Sequence, residues 1–189
     1  MSHDMHQDEN NSIFKIGMNL TIACLLSGAI IAGTYALTAP VAANSRVELK
    51  NKAMKELVGE AQEFKAIEGK QDWYAAMKAG KVLAYIVPAE SKGYGGAIRM
   101  LTAISPEGKV VDYKILQHNE TPGLGDKASE PKFSKQFTGK GAEDLEVVKV
   151  PNEKNIQALT GATITSRAVT KGIKAAAEEV AAYTAGQNK

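Results

Sequence analysis

Hydrophobic positions follow two different patterns along this chain, and the first is a long uncharged run. From Ile16 to Leu37, 22 residues include no charged side chain. A helix of that length spans about 33 Å, enough to cross the roughly 30 Å hydrocarbon core of a bilayer. We therefore predict a transmembrane helix over residues 16–37, preceded by a polar tail over residues 1–15. The alternative is a cleaved secretory signal with its cleavage site near Val41–Ala43, although the apolar run exceeds the 7–15 residues usual in such signals.

Residues 44–189 show the mixed periodicities of one globular domain. Alternating apolar and polar residues predict a hairpin of two strands joined by a turn at Ser105–Gly108. A continuous apolar run predicts the strand before it, and a β-branched run predicts a strand further on. We predict strands at Lys81–Pro88, Ala97–Ile104, Val110–Leu116 and Leu145–Val150.

Apolar residues recur at helical spacing in three further segments of this domain. The clearest leads to the C-terminus, and another continues from the apolar run after a break at Pro40. Ser129 is placed to cap the shortest helix, with Pro131 in its first turn. We predict helices at Arg46–Phe64, Glu130–Phe137 and Ser166–Tyr183, and a short helix or turn at Gln71–Ala79. The fold class is therefore α+β: one N-terminal transmembrane helix, then one domain with a small, mostly antiparallel sheet packed by helices.

Composition narrows the class of protein. Hydrophobic residues make up 44% of the chain and the formal net charge is +2, which excludes a disordered chain and argues against nucleic acid as a partner. Cys24 is the single cysteine, so this chain carries no disulfide framework and no iron–sulfur cluster held by its own thiolates. We also predict no metal site, because the sequence has no metal-binding motif.

Charge is distributed unevenly and leaves the orientation of the domain open. The tail carries a net charge of −2, whereas residues 44–189 carry 22 basic and 18 acidic side chains. Lys15 flanks one side of the apolar run, and four basic residues flank the other. The positive-inside bias would place the domain in the cytoplasm, but this bias is weak for long translocated domains.

Three loop segments are rich in glycine or hydroxyl groups: Lys92–Gly96, His118–Gly125 and Leu159–Ser166. In the third, Gly161 and Ala162 let main-chain N–H groups approach a ligand closely, and a helix N-terminus follows. This pattern predicts a phosphate near Thr163, with Arg167 or Lys171 as a counter-charge. The alternative is plain capping of the helix by Thr165 or Ser166.

Taken in order behind one membrane anchor, the three segments resemble the FMN-binding domain of membrane electron-transport complexes, and most closely the G subunits of Rnf-type complexes. The C subunits of sodium-translocating NADH:quinone oxidoreductases are related to these. Thr160–Thr163 resembles the family's [Ser/Thr]-Gly-Ala-Thr motif, in which the last threonine carries FMN through a phosphoester. Glu120–Gly125 is similar to its ETPGLG loop, and Lys92–Gly96 to its glycine-rich segment. The family usually has aspartate six residues before the modified threonine, where this chain has Gln157.

The resemblance implies a site in which FMN is bound covalently through Thr163 and no side chain of the chain is itself catalytic. The implied site residues are Thr163, Thr160, Gly161, Ala162, Thr165, Ser166, Glu120, Thr121, Gly123, Leu124 and Gly95.

The resemblance also implies a place and a role for the chain. It implies an FMN-binding domain over residues 44–189 on the extracytoplasmic side of the cytoplasmic membrane. Its partners would be the other membrane subunits and, for maturation, a flavin transferase. The implied function is electron relay within an ion-translocating ferredoxin:NAD oxidoreductase, as a subunit and not as a stand-alone enzyme. The alternatives are an anchored, non-redox sensor that binds FMN or another phosphate ligand reversibly, and a structural assembly subunit without a ligand.

Overall fold

The computed structural model describes residues 5–150, 152 and 154–187, and it divides the chain into two compact units after Glu48. Helix α1 begins at Met5 and continues through Pro40 to end at Leu57, beyond the boundary at Glu48, so the predicted break at Pro40 is wrong. Within the part of the chain described, this is the helix that is long and apolar enough to cross a membrane. Its large apolar side chains between Ile13 and Leu37 are exposed. Of the predicted polar tail, residues 1–4 lie outside the described residues, and residues 5–15 belong to the helix.

The second unit is built on an antiparallel sheet whose five strands are paired in chain order. This confirms the predicted α+β domain with a mostly antiparallel sheet. The strands are β1 (Glu63–Ala66), β2 (Tyr74–Lys78), β3 (Lys81–Lys92), β4 (Ala97–Ile104) and β5 (Val110–Gln117). The three strands predicted in this region are confirmed, and β3 is four residues longer than expected.

Two sheet strands lie where helix or turn was expected. Phe64 belongs to β1, so the predicted helix to Phe64 ends early, and Tyr74–Lys78 forms β2 where the sequence predicted a short helix or turn. Tertiary packing explains strand β2. Ala75 packs into the core on one face of the sheet and Ala76 into the core on the other, so small residues are needed on both sides.

The sheet is covered on both faces. On one face, Val169, Ile173 and Val180 of helix α3 (Thr163–Gln187) are fully buried in the larger core. On the other face, Met54 and Leu57 from the last turns of α1 pack on a smaller, alanine-rich core. The sheet therefore needs both helical segments to exclude water.

The remaining elements are short. A 3-10 helix (Gly125–Ser129) precedes helix α2 (Pro131–Ser134), whose N-cap is Glu130 and not Ser129. Strands β6 (Val147–Val148) and β7 (Ile156–Gln157) pair in parallel, so the strand predicted at Leu145–Val150 is shorter than expected. Helix α3 starts at Thr163, three residues before the predicted start.

Candidate functional site

The three loop segments singled out in the sequence meet beside the first turn of α3 and form a cleft of about 610 Å³. This volume lies within the range of small-molecule sites, roughly 300–1,000 Å³. We refer to it as the cleft throughout. Its lining residues are Tyr94, Glu120, Thr121, Leu124, Gly125, Gly161, Ala162, Thr163, Ile164 and Thr165.

One wall of the cleft is the N-terminus of α3. Gly161 has a φ angle of +79°, which L-residues with a side chain rarely adopt, and the turn it makes brings the chain into the helix. The Ala162 N–H donates a hydrogen bond to the Leu159 carbonyl oxygen at 3.0 Å. Thr163 is the first helical residue, and its side chain is partly exposed. Since the first N–H groups of a helix have no partner within it, this wall favours an anion.

A buried carboxylate forms the floor of the cleft. Glu120 is only 6% exposed. Its Oε1 accepts a hydrogen bond from the main-chain N–H of Gly95 at 2.9 Å, and its Oε2 accepts one from the Thr165 hydroxyl group. The main-chain N–H of Glu120 donates to His118 Nδ1 at 3.2 Å. Because buried polar groups need partners, this pairing connects the two loops with the helix.

The glycine-rich loop approaches the Glu120 segment so closely that no side chain fits at Gly95. A Cβ atom there would lie 1.8 Å from the main-chain oxygen of Asn119. Such a distance is far inside van der Waals contact, so the residue must be glycine for the loops to meet. The packing explains why a glycine-rich segment is found between β3 and β4.

Apolar side chains surround the mouth of the cleft and remain accessible. Tyr94 is 72% exposed, Leu124 42% and Ile164 55%. Leu124 lies over Gly161, where an added Cβ would be 3.1 Å from its Cδ2 atom. Exposed apolar and aromatic groups beside an anion-binding helix end suit a ligand with a planar ring and a phosphate.

The structure brings together most of the predicted site residues. Thr163, Gly161, Ala162, Thr165, Glu120, Thr121 and Leu124 line the cleft. Four others do not line it. Gly95 supports Glu120 from behind, Gly123 lies in the turn beside Leu124, and Thr160 lies in a neighbouring groove with Gln157.

The fourth, Ser166, is fully buried and turned away from the cleft. Its Oγ donates to the Ala162 carbonyl oxygen and accepts from the Leu159 N–H, both at 2.9 Å. Thr165 and Ser166 therefore lie inside α3, and the alternative that one of them caps the helix is wrong.

Three lining residues were missing from the predicted set, and the expected counter-charges lie elsewhere. The three are Tyr94, Gly125 and Ile164. Each of them lies within one of the three loop segments singled out in the sequence, so membership of those segments was the signal that could have found them. Arg167 and Lys171 line a separate groove together with Lys174.

Comparison with known proteins identifies the family of this chain. Residues 93–178 match the model of the FMN-binding domain. The chain is 57% identical over 180 residues to the G subunit of the proton-translocating ferredoxin:NAD(+) oxidoreductase complex of Clostridium ljungdahlii, covering 95% of this chain and 97% of the relative. It is 34% identical over 183 residues to the G subunit of the Na(+)-translocating complex of Acetobacterium woodii, covering 85% and 88% respectively. The crystal structure of Shewanella oneidensis NqrC is similar with a TM-score of 0.48 and 21% identity, over 61% of this chain and 65% of that one.

The matched segment defines the class of the domain, because it begins at Gly93 in the glycine-rich loop and extends into α3, and so includes the whole cleft. The chain belongs to the G-subunit family of Rnf-type ion-translocating ferredoxin:NAD(+) oxidoreductase complexes. The resemblance carried by the three sequence motifs is thereby confirmed.

The residues of the cleft fit an FMN group. The N-terminus of α3 suits its phosphate, and the exposed side chains of Tyr94, Leu124 and Ile164 suit its planar ring. Thr163, the first residue of α3, also lines the cleft.

Proposed function

We propose that this chain is a membrane-anchored flavoprotein subunit that relays electrons through FMN within an Rnf-type ferredoxin:NAD oxidoreductase coupled to ion translocation. It acts as a subunit and not as a stand-alone enzyme. The observation that carries the proposal is the cleft at the N-terminus of α3, enclosed by the segment that matches the FMN-binding domain. Similarity over nearly the whole length of the Clostridium ljungdahlii protein supports the place in a complex.

FMN is attached through a phosphoester to Thr163. Among the neighbouring hydroxyl groups, Thr165 is engaged by Glu120, Ser166 is engaged by main-chain groups, and Thr160 lies outside the cleft. Thr163 lines the cleft, and its hydroxyl group makes no hydrogen bond among the described residues. It is thus the hydroxyl that is both accessible and uncommitted.

The first turn of α3 holds the phosphate. A phosphoester to Thr163 leaves one negative charge on the phosphate group. The N-terminus of a helix carries the equivalent of about half a positive charge, which favours that anion. Gly161 and Ala162 present little bulk, so main-chain N–H groups can approach the phosphate oxygens.

The rim of the cleft would orient the ring of a bound FMN. Leu124, Ile164 and Tyr94 line the cleft and are exposed, so their side chains would contact the ring. The bound flavin supplies the redox chemistry, in steps of one or two electrons. The chain supplies position and electrostatics.

Residues 16–37 anchor the domain, and residues 44–189 lie on the extracytoplasmic side of the cytoplasmic membrane. The apolar stretch of α1 supports the anchor. A covalent bond suits this location, because a flavin that dissociated outside the cytoplasm would be lost. The partners are the other membrane subunits, which contact the anchor and the domain, and a flavin transferase that loads Thr163.

The test uses the full chain purified in detergent from a host that contains its complex. After denaturation and electrophoresis, flavin fluorescence should stay on the band of the wild type and of Thr160→Val. Thr163→Val should abolish it. Fluorescence that persists in Thr163→Val would refute the attachment site, and flavin that leaves the wild type on denaturation would instead support a reversible binding module.

The orientation is tested by fusion at the C-terminus. Alkaline phosphatase is active only outside the cytoplasm, so a fusion after Lys189 should be active in cells. An inactive phosphatase fusion together with a fluorescent GFP fusion would place the domain inside.

A further inference from the structure

The cleft is held together by one buried side chain that contacts all three of its segments. Glu120 belongs to the second loop, Gly95 to the first, and Thr165 to the first turn of α3. Glu120 and Thr165 are 6% and 2% exposed, so the hydrogen bond between them is shielded from bulk water. Hydrogen bonds to a carboxylate are stronger than those between neutral groups.

We propose that Glu120 is a positioning residue for FMN, acting through Thr165. The inference rests on the proposed function, because it concerns how the attached flavin is held. The Glu120–Thr165 hydrogen bond fixes the first turn of α3, and with it Thr163, against the loop that carries Leu124. Glu120 itself does not transfer electrons.

A carboxylate is the best partner for this pair of donors. The Gly95 N–H and the Thr165 hydroxyl point at two different oxygens, and a carboxylate accepts at both. A glutamine side chain could accept from the Gly95 N–H with its oxygen, but its NH₂ group could only donate to the Thr165 hydroxyl. The substitution therefore exchanges two hydrogen bonds to a charged group for two weaker, neutral ones.

The surroundings leave no room for a different arrangement. A Cβ atom at Gly93 would lie 2.4 Å from Glu120 Oε1, and one at Gly125 would lie 2.7 Å from Glu120 Cβ and 2.8 Å from Thr165 Oγ1. Gly93 and Gly125 thus pack against the Glu120 side chain, and Gly95 packs against the main chain at Asn119 and Glu120. The side chain is enclosed by packing as well as by hydrogen bonds.

The consequence for the flavin follows from where the two walls are attached. Leu124 is four residues after Glu120, and Ile164 is adjacent to Thr165. Without the Glu120–Thr165 bond the two segments are coupled less firmly, so a ring bound against Leu124 and Ile164 would be held in a less fixed orientation. The phosphoester on Thr163 is unaffected, so attachment and orientation are separable.

The experiment compares full-length, flavin-loaded chains in detergent. The variants are Glu120→Gln, Thr165→Val and Thr165→Ser, with Glu178→Gln on the exposed side of α3 as the control. Covalent flavin is measured on denaturing gels, and ring order by visible-region circular dichroism and flavin fluorescence anisotropy of the native protein.

We expect Thr165→Val to keep covalent flavin but to weaken the visible circular dichroism and lower the anisotropy, and Glu120→Gln to do the same to a smaller extent. Thr165→Ser, which keeps the hydroxyl group, should retain both signals, and Glu178→Gln should match the wild type. The double variant Glu120→Gln with Thr165→Val should lose no more than Thr165→Val alone, because both substitutions act on the same bond.

The outcomes separate this inference from the proposed function. Wild-type protein without flavin on Thr163 overturns both. Wild-type protein with flavin on Thr163, combined with unchanged dichroism and anisotropy in Thr165→Val, overturns the positioning role alone. If Glu120→Gln does not fold, the comparison of Thr165→Val with Thr165→Ser decides.

Discussion

The Tyr113 hydroxyl group donates a hydrogen bond to the main-chain carbonyl oxygen of Ala128, 2.5 Å away, and both residues are buried. Ala128 lies in the 3-10 helix that follows the Glu120 loop, so β5 holds the end of that loop in place. Tyr113→Phe leaves the buried carbonyl unpaired and should lower the free energy of unfolding by about 1–3 kcal/mol. Urea denaturation of the full chain in detergent measures this.

Tyr94→Phe is the matched control for that substitution. Tyr94 is 72% exposed, and removal of its hydroxyl group should leave stability unchanged. Equal stability of the wild type and Tyr113→Phe would mean that the hydrogen bond to Ala128 contributes nothing.

Tyr113 also makes the stability of the domain sensitive to alkaline pH. Burial, aided by the charge of Asp112, raises the pKa of Tyr113 far above its ordinary value of about 10. Above pH ~10 the unfolded chain therefore loses a proton that the folded chain keeps, and the free energy of unfolding falls as pH rises. Below that pH the contribution is fully present. The slope of unfolding free energy against pH should be shallower in Tyr113→Phe than in the wild type above pH ~10, and parallel slopes would contradict this.

Gly95→Ala should damage the cleft more than any substitution on its surface. The added methyl group would lie 1.8 Å from the Asn119 oxygen, so the glycine loop and the Glu120 segment must separate. We expect a loss of about 1–3 kcal/mol in unfolding free energy, together with reduced flavin loading. Gly186→Ala is the control, because nothing lies within 4 Å of its added Cβ, and it should be neutral or slightly stabilising. Equal behaviour of the two alanine variants would show that the loops tolerate separation.

The last turns of α1 belong to the folded domain. Whether a shortened chain folds should therefore depend on whether it keeps these turns. Met54 and Leu57 pack against the sheet, and burial of such side chains stabilises by about 1.5–3 kcal/mol each. The Glu56–Lys114 ion pair, at 2.7 Å, adds to this contact. We expect residues 49–189 to give a soluble protein with cooperative thermal unfolding, and residues 59–189 to aggregate or remain unfolded. A cooperative transition of residues 59–189 in circular dichroism would contradict this.

Gln157→Asp tests how the departure from the family motif affects loading. The Gln157 main-chain N–H donates to Gln136 Oε1 at 2.8 Å, whereas its own side chain is exposed. The substitution should therefore leave stability unchanged and increase the fraction of chain that carries covalent flavin when the transferase is limiting. Gln71→Asp, at another exposed position, should leave loading at the wild-type level. Equal loading of the wild type and Gln157→Asp would show that the transferase accepts glutamine.

The sheet could be predicted from sequence where burial on one or both faces leaves a local pattern. Strands β4 and β5 and the turn between them follow from alternation and turn residues, and the structure confirms them. Strand β2 carries no such pattern, because Ala75 and Ala76 are selected by the room beneath two helices. The early start of α3 was missed because threonine has modest helix propensity, which here is overridden by the hydrogen bonds of Thr165 and Ser166.

The sequence predicted which segments form the candidate site, but not which of their side chains contact each other. The motifs indicated Glu120 and Thr165 separately. No spacing rule connects two residues that are 45 positions apart, and their hydrogen bond depends on the whole sheet being in place. In the same way, the sequence put Arg167 and Lys171 near Thr163, whereas the helix turns their side chains toward a different groove.

Thr163 is the first residue of the helix whose middle turns fill the larger core, with Val169 and Ile173 fully buried. The proposed point of flavin attachment is therefore continuous with the helix that fills the larger core. Transplanting the Thr160–Thr163 tetrapeptide into an unrelated scaffold would transfer the threonine hydroxyl but none of the walls around it. A designer who wants an oriented flavin must graft the helix, both loops and the sheet that spaces them.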